Sequence, residues 1–207
     1  MNTDLLLKII DNNPRYRELM RKYSRAAHIE KRNIRNILLV YHRFVTINGG
    51  RSMSQKQFIK LYQIYFNIPD VHWAQSIVDH VDPKAKHTIS PEGFLKFMNV
   101  CLNNSFEDKV MFCFQFSSKV YDGHKTGFIT RAKLIRTYRN MLYSADWEEV
   151  EDLVIDFVDL LIKKMDHDRD GKISFYDYAK AVRMNPGLLE FMGPVIPDRD
   201  ILVDIFG

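Results

Sequence analysis

Twelve residues constrain this chain more than any others: Asp166-His167-Asp168-Arg169-Asp170-Gly171-Lys172-Ile173-Ser174-Phe175-Tyr176-Asp177. Three aspartates at alternating positions repel one another unless a cation sits among them. Calcium is a hard cation that gathers about six to eight oxygens, and the order of residues matches a loop curled around one. Asp166, Asp168 and Asp170 supply carboxylates from the first, third and fifth positions. Gly171 gives the sixth position the backbone freedom for a sharp turn, and Lys172 offers its carbonyl from the seventh. Ser174 at the ninth contributes directly or through a water, and Asp177 closes the set at the twelfth. Glutamate usually holds that last place. Aspartate is one methylene shorter, which suits coordination through one oxygen, a lower calcium affinity and competition from magnesium.

The flanks keep helical spacing. Val150, Leu153, Val154, Phe157, Leu160, Leu161 and Met165 precede the loop, and Phe175, Tyr178, Ala179 and Val182 follow it. Helix, loop and helix together make an EF-hand. The same template recurs upstream in decayed form. Asp122 to Lys133 keeps the first Asp, the glycine Gly127 and the core Ile129, but His124, Thr126 and Lys133 occupy ligand positions, so it is not expected to bind calcium. Asp82 to Gly93 has Lys84 and Lys86 at ligand positions, no turn glycine, and Gly93 at the end. Thr46 to Gln57 keeps mainly its hydrophobic eighth residue, Met53, and the helix after it. Met53, Ile89, Ile129 and Ile173 lie 36, 40 and 44 residues apart, a spacing that fits two helices and a loop per unit, with eighth-position residues pairing between neighbouring loops.

The expected fold is therefore all-α: four EF-hands in two paired lobes of the calmodulin and neuronal-calcium-sensor type, with an extra N-terminal helix and a C-terminal tail. Residues 1–28 read as a basic helical extension, interrupted at Asn12-Asn13-Pro14. Residues 29–103 read as a lobe of two degenerate hands and 104–185 as a lobe of one degenerate and one intact hand, divided at the polar joint Asn103-Asn104-Ser105. Residues 186–207 read as a final helix and an apolar tail containing Ile201, Leu202, Val203, Ile205 and Phe206.

The net charge of +4, from 30 basic and 26 acidic residues, is itself a sign of lost ligands, since four full calcium loops make a chain acidic. Arg15, Arg17, Arg21, Lys22, Arg25, Lys31, Arg32 and Arg35 concentrate the basic excess early, which suits either an acidic partner or a solvated helix face. Nothing in the pattern suggests nucleic acid. No signal peptide, membrane span, myristoylation glycine at Asn2 or prenylation ending is recognised, so no membrane anchor and an intracellular setting are expected. Cys101 and Cys113 follow no metal or disulfide spacing and read as reduced, buried thiols. Catalysis finds no support: the seven histidines match no zinc spacing, the Ser and Cys residues lack an identifiable base, and no phosphate-cradling glycine loop appears.

In a sensor hand, filling the loop swings its helices apart and exposes an apolar groove that grips a target helix. Only the C-terminal lobe retains a loop for that. Met165, Met184, Met192, Phe157, Phe175 and Phe191 are either groove lining or core, and the tail after Pro194 either covers the groove or acts as a separate anchor. The N-terminal lobe suits a permanent docking role.

The run Leu161 to Tyr178, followed by Ala181-Val182-Arg183, Leu188-Leu189-Glu190, Phe191-Met192-Gly193-Pro194 and Pro197-Asp198, resembles the calaxin family. Calaxins are calcium-binding proteins of motile cilia and sperm flagella, associated with outer-arm dynein and its docking complex on the doublet microtubule. The resemblance implies a noncatalytic, calcium-responsive adaptor that modulates ciliary and flagellar beating. Coiled-coil docking-complex or dynein subunits are the implied partners, with the microtubule surface beside them, and the cytoskeletal axoneme the implied location. It also carries over residue by residue to the one calcium site read above, since Asp166, Asp168, Asp170, Lys172, Ser174 and Asp177 match the family's last loop, terminal Asp included. Family members generally keep working second and third loops. Lys84, Lys86, Gly93, His124, Thr126 and Lys133 depart from that pattern and imply reduced calcium control. A regulatory subunit of an enzyme or channel, like calcineurin B or a neuronal calcium sensor, is the alternative, and a soluble calcium buffer ranks last.

Overall fold

The computed structural model describes residues 3–26, 30–47, 49–50, 52–66, 71–83, 87–102, 105–122, 126–141 and 147–197. They form helices joined by short loops, with two small antiparallel strand pairs as the only sheet among the described residues. The described residues up to 102 belong to one compact unit and Ser105–Ile196 form a second.

The first unit begins with α1 (Thr3–Asn12) and α2 (Pro14–Ala26). They separate where the sequence is interrupted. The Asn13 side chain accepts the Arg15 amide at 3.0 Å, and Pro14 opens the new helix where its missing N–H is not needed. Leu6, Ile10, Tyr16 and Leu19 are buried against α3 (Lys31–Ile47), so the basic extension belongs to the core of this unit rather than hanging from it. Arg35 of α3 pairs with Asp11.

The first hand is α3, β1 (Met53–Ser54) and α4 (Gln55–Phe66), and the second is α5 (Val71–Val81), β2 (Thr88–Ile89) and α6 (Pro91–Leu102). Ser54 and Gln57 cap α4 reciprocally: the Gln57 amide reaches the Ser54 hydroxyl at 3.2 Å and the Ser54 amide reaches the Gln57 side chain at 2.7 Å. Met53 pairs with Ile89, and the buried Tyr41 hydroxyl donates to the Ile89 carbonyl at 2.8 Å while accepting the Met53 amide at 3.2 Å. Beneath the strands lies an aromatic cluster of Tyr41, Phe58, Tyr62, Phe94 and Phe97.

The third hand is α7 (Phe106–Tyr121), β3 (Ile129–Thr130) and α8 (Arg131–Met141), and the fourth is α9 (Trp147–Met165), β4 (Lys172–Ile173) and α10 (Phe175–Met184). Ile129 pairs with Ile173, as the repeat spacing requires, and both are fully buried. Exposed ion pairs link α8 to α9 through Arg131 and Asp159, and α7 to α10 through Glu107 and Arg183, each with two hydrogen bonds. Such surface pairs contribute little individually, about 0.2–1 kcal/mol.

After a 3₁₀ turn at Pro186–Leu188, the chain returns across this unit. Met192 and Val195 are 1% exposed, and Phe191 packs on Phe157 at 5.8 Å. The Met192 carbonyl accepts the Tyr121 hydroxyl at 2.6 Å, and the Leu189 carbonyl accepts that of Tyr178 at 2.5 Å. Leu188, Met192 and Val195 thus join the buried side chains of this unit. The apolar stretch from Ile201 to Phe206 lies outside the described residues, as do Lys84, Lys86, His124 and the joint residues Asn103 and Asn104. Cys101 and Cys113 are buried and are not joined in a disulfide.

Candidate metal centre

The loop between α9 and α10 turns through two left-handed residues, Arg169 at φ 62° and Gly171 at φ 80°. The glycine meets no penalty there, and its amide donates to Asp166 Oδ2 at 2.9 Å. The Asp170 amide donates to Asp166 Oδ1 and to Asp168 Oδ1, each at 3.2 Å, and the Lys172 amide donates to Asp170 Oδ1 at 2.8 Å. Backbone N–H groups therefore fold all three carboxylates inward. Asp166, Asp168 and Asp170 each offer an oxygen within 4.8 Å of the others. An oxygen-only, anionic donor set that the chain itself draws together fits a hard divalent cation.

Asp177 is placed differently. It occupies the first turn of α10, where it and Ser174 form a capping box: the Asp177 amide donates to the Ser174 hydroxyl at 3.1 Å, and the Ser174 amide donates to Asp177 Oδ2 at 3.0 Å. The Ser174 hydroxyl also donates to that Oδ2. Burial works to raise the Asp177 pKa, but the Ser174 hydroxyl and amide, with the amide dipoles of His167 and Asp168, outweigh it and hold the group below its ordinary value. Oδ1 closes no hydrogen bond although it is buried. A buried carboxylate oxygen that the His167 and Asp168 amides favour only from beyond hydrogen-bond geometry is costly, and a cation at the loop is the natural partner to satisfy it. With Oδ2 committed to the helix cap, Asp177 has one oxygen to offer.

Among the described residues, the second and third loops bring together no such donor set. In the second, Asp82 Oδ2 accepts the Ser90 amide at 2.9 Å, and a Cβ on Gly93 would meet that same Oδ2 at 2.9 Å. The missing side chain at the twelfth position is what lets the first-position aspartate fold onto the loop. Gly93→Ala is therefore expected to lower thermal stability by about 1 kcal/mol, even though alanine is the better helix former, because Asp82 must shift; a thermal melt showing stabilisation would mean that Asp82 moves freely.

In the third loop, Asp122 is 1% exposed. Its Oδ2 accepts the Gly127 amide at 2.7 Å and the Thr126 hydroxyl at 2.9 Å, and its Oδ1 accepts the Lys133 ammonium. Burial raises the Asp122 pKa, but the bonds from Lys133, Thr126 and Gly127 more than reverse this and bring it to about 2. Sequence reasoning identified Lys133 as a charge in the wrong place for calcium. It did not see that the ammonium turns inward and bonds to the loop's own oxygens, a point that only the side-chain path could give.

The family description "EF-hand domain pair" matches residues 107–183, which is the third hand together with the fourth. The chain is 29% identical to calaxin of Xenopus laevis over 85% of each chain. It is 32% identical to calaxin of Bos taurus over 70% of this chain and 68% of the bovine one. Against calaxin of Homo sapiens the identity rises to 41%, over 49% of this chain and 46% of the human one. The paired hands, the oxygen-lined fourth loop and these long matches agree, and the chain is a calcium-binding regulatory EF-hand protein that belongs to the calaxin family.

Proposed function

We propose that this chain is a noncatalytic adaptor that binds outer-arm dynein or its docking complex on the doublet microtubules of the axoneme, and that it responds to calcium through the fourth loop alone. The observation that carries the calcium part is the cluster of Asp166, Asp168 and Asp170, against a third loop already filled by Lys133 and a second closed onto Gly93. Lys172 adds its carbonyl, and Ser174 and Asp177 complete the set from the start of α10. Membership of the calaxin family supports the ciliary part. An acidic partner, such as a tubulin surface or an acidic coiled coil, suits the exposed row of Arg17, Arg21 and Arg25, which follow one another at one-turn spacing on α2. Lys22 is engaged within the unit by Glu92, at 2.7 Å.

The test has two arms. Calorimetric titration should find one calcium ion per chain, and tagged protein should sediment with axonemes and recover docking-complex subunits. Loss of the axonemal association, or recovery of a phosphatase, kinase or channel subunit as the dominant partner, would reverse the reading in favour of an enzyme-regulating subunit.

Magnesium is expected to compete, because a one-oxygen twelfth residue favours compact six-coordinate binding. Asp177→Glu should raise calcium affinity about tenfold and weaken the competition, read by titrating calcium with and without millimolar-range magnesium. An unchanged calcium affinity would show that the twelfth residue serves only as the cap of α10.

A further inference from the structure

The third and fourth loops share one turn, at the sixth position, although only the fourth gathers carboxylates for a metal among the described residues. Gly127 and Gly171 each stand at the sixth position with φ 80°. Each donates its amide to Oδ2 of the first-position aspartate, at 2.7 Å to Asp122 and 2.9 Å to Asp166. At its first and sixth positions the third loop thus has the turn of a calcium loop. What lies inside it is the Lys133 ammonium, which bonds Asp122 Oδ1 and comes within 3.4 Å of both the Thr126 hydroxyl and the Phe128 carbonyl. Those three oxygens belong to the first, fifth and seventh positions of the loop, where a calcium ion draws its ligands. The lysine itself stands at the twelfth, and 23% of its side chain is exposed.

We propose that Lys133 is a built-in substitute for calcium: its tethered ammonium keeps the third loop permanently closed and thereby positions the fourth loop for its metal. The coupling runs through the strands. Lys133 lies three residues beyond Thr130, β3 pairs residue for residue with β4, and the Ile129 and Ile173 side chains at that junction are fully buried. A second contact crosses between the loops, with the Lys172 ammonium 5.5 Å from the centre of the Phe128 ring. With β3 fixed by an internal cation, β4 has a formed partner before any metal arrives, so metal uptake at the fourth loop has to order one loop rather than two. Lys133 is a positioning residue and contributes no donor to the metal.

The experiment compares wild type, Lys133→Met and the double variant Asp122→Asn with Lys133→Met. Methionine keeps the length of the side chain and removes its charge, which leaves Asp122 buried and unpaired. In the presence of a chelator, Lys133→Met is expected to melt roughly 10 °C below wild type. The double variant removes both charges and should recover at least half of that loss. In calcium titration the single variant should bind with an affinity lower by about fivefold, and the double variant should return toward wild type. Packing of the lysine stem alone would leave the double variant as unstable as the single one, and that result would overturn the proposal, as would a single variant that melts with wild type. A single variant that loses stability yet binds calcium as wild type does would overturn the positioning role. The affinity arm rests on the fourth loop being the metal site, whereas the chelator arm does not. Should wild type bind no calcium, the reading of the fourth loop fails, and the melts in chelator still decide whether Lys133 closes the third.

Discussion

Asp166→Ala is expected to abolish measurable calcium binding, with a loss of affinity of at least about 100-fold, or close to 3 kcal/mol. The size of the effect follows from the two tasks of one carboxylate. It supplies an oxygen to the cluster with Asp168 and Asp170, and it accepts the amides of Asp170 and Gly171 that bend the loop around that cluster. Alanine removes a charged donor and leaves the turn without its anchor. Stability in chelator should change far less, because relief of repulsion from Asp168 and Asp170 offsets the two lost hydrogen bonds. Isothermal calorimetry of the full chain, paired with a thermal melt in chelator, separates these effects. Calcium heats that survive the substitution would place the principal site in another part of the chain.

Phe58→Ala should destabilise the first unit by about 3–5 kcal/mol, and calcium should not restore what is lost. Phe58 is fully buried and meets Phe97 at 5.6 Å, Tyr62 at 6.3 Å and Phe94 at 6.4 Å, which joins α4 to α6 beneath the β1–β2 pair. Removing the ring opens a cavity against rigid aromatic neighbours that have little freedom to collapse into it. Ligands stabilise only the state that binds them, and neither hand of this unit has the fourth loop's acidic donors. Thermal unfolding with calcium and with chelator should show the same loss, and amide exchange should quicken in α4 and α6. Recovery in calcium would reveal binding within the first unit.

The features legible in the sequence were those with a local rule. The alternating aspartates around Gly171 announced the loop, the spacing of Met53, Ile89, Ile129 and Ile173 announced which strands pair, and Asn13-Pro14 announced a helix break. Features that depend on where a long side chain ends were not legible. Lys133 reads as a defect in a calcium loop until its ammonium is seen against Asp122. Gly93 reads as a missing ligand until the approach of Asp82 is seen. Glu92 offers no hint that it gathers Lys22 and Tyr23 from α2, about seventy residues earlier, at 2.7 and 2.9 Å. Periodicity also gave no means of choosing between core and groove for Phe157 and Phe191, since both lie on apolar faces at the same spacing. In the structure both are half-buried and packed on each other at 5.8 Å.

That returning segment works as a tie between levers. Tyr121 ends the first helix of the third hand, Tyr178 sits on the last helix of the fourth, and the two grip carbonyls three residues apart, at Met192 and Leu189. Any swing that parts α7 from α10 at that end must stretch the tie or cast it off. Casting it off gives up two hydroxyl bonds, each worth about 1 kcal/mol, and the burial of one methionine and one valine. Any such opening would therefore have part of its threshold set at residues 188–195, beyond the last hand, where it could be raised or lowered without altering a single atom of the metal loop.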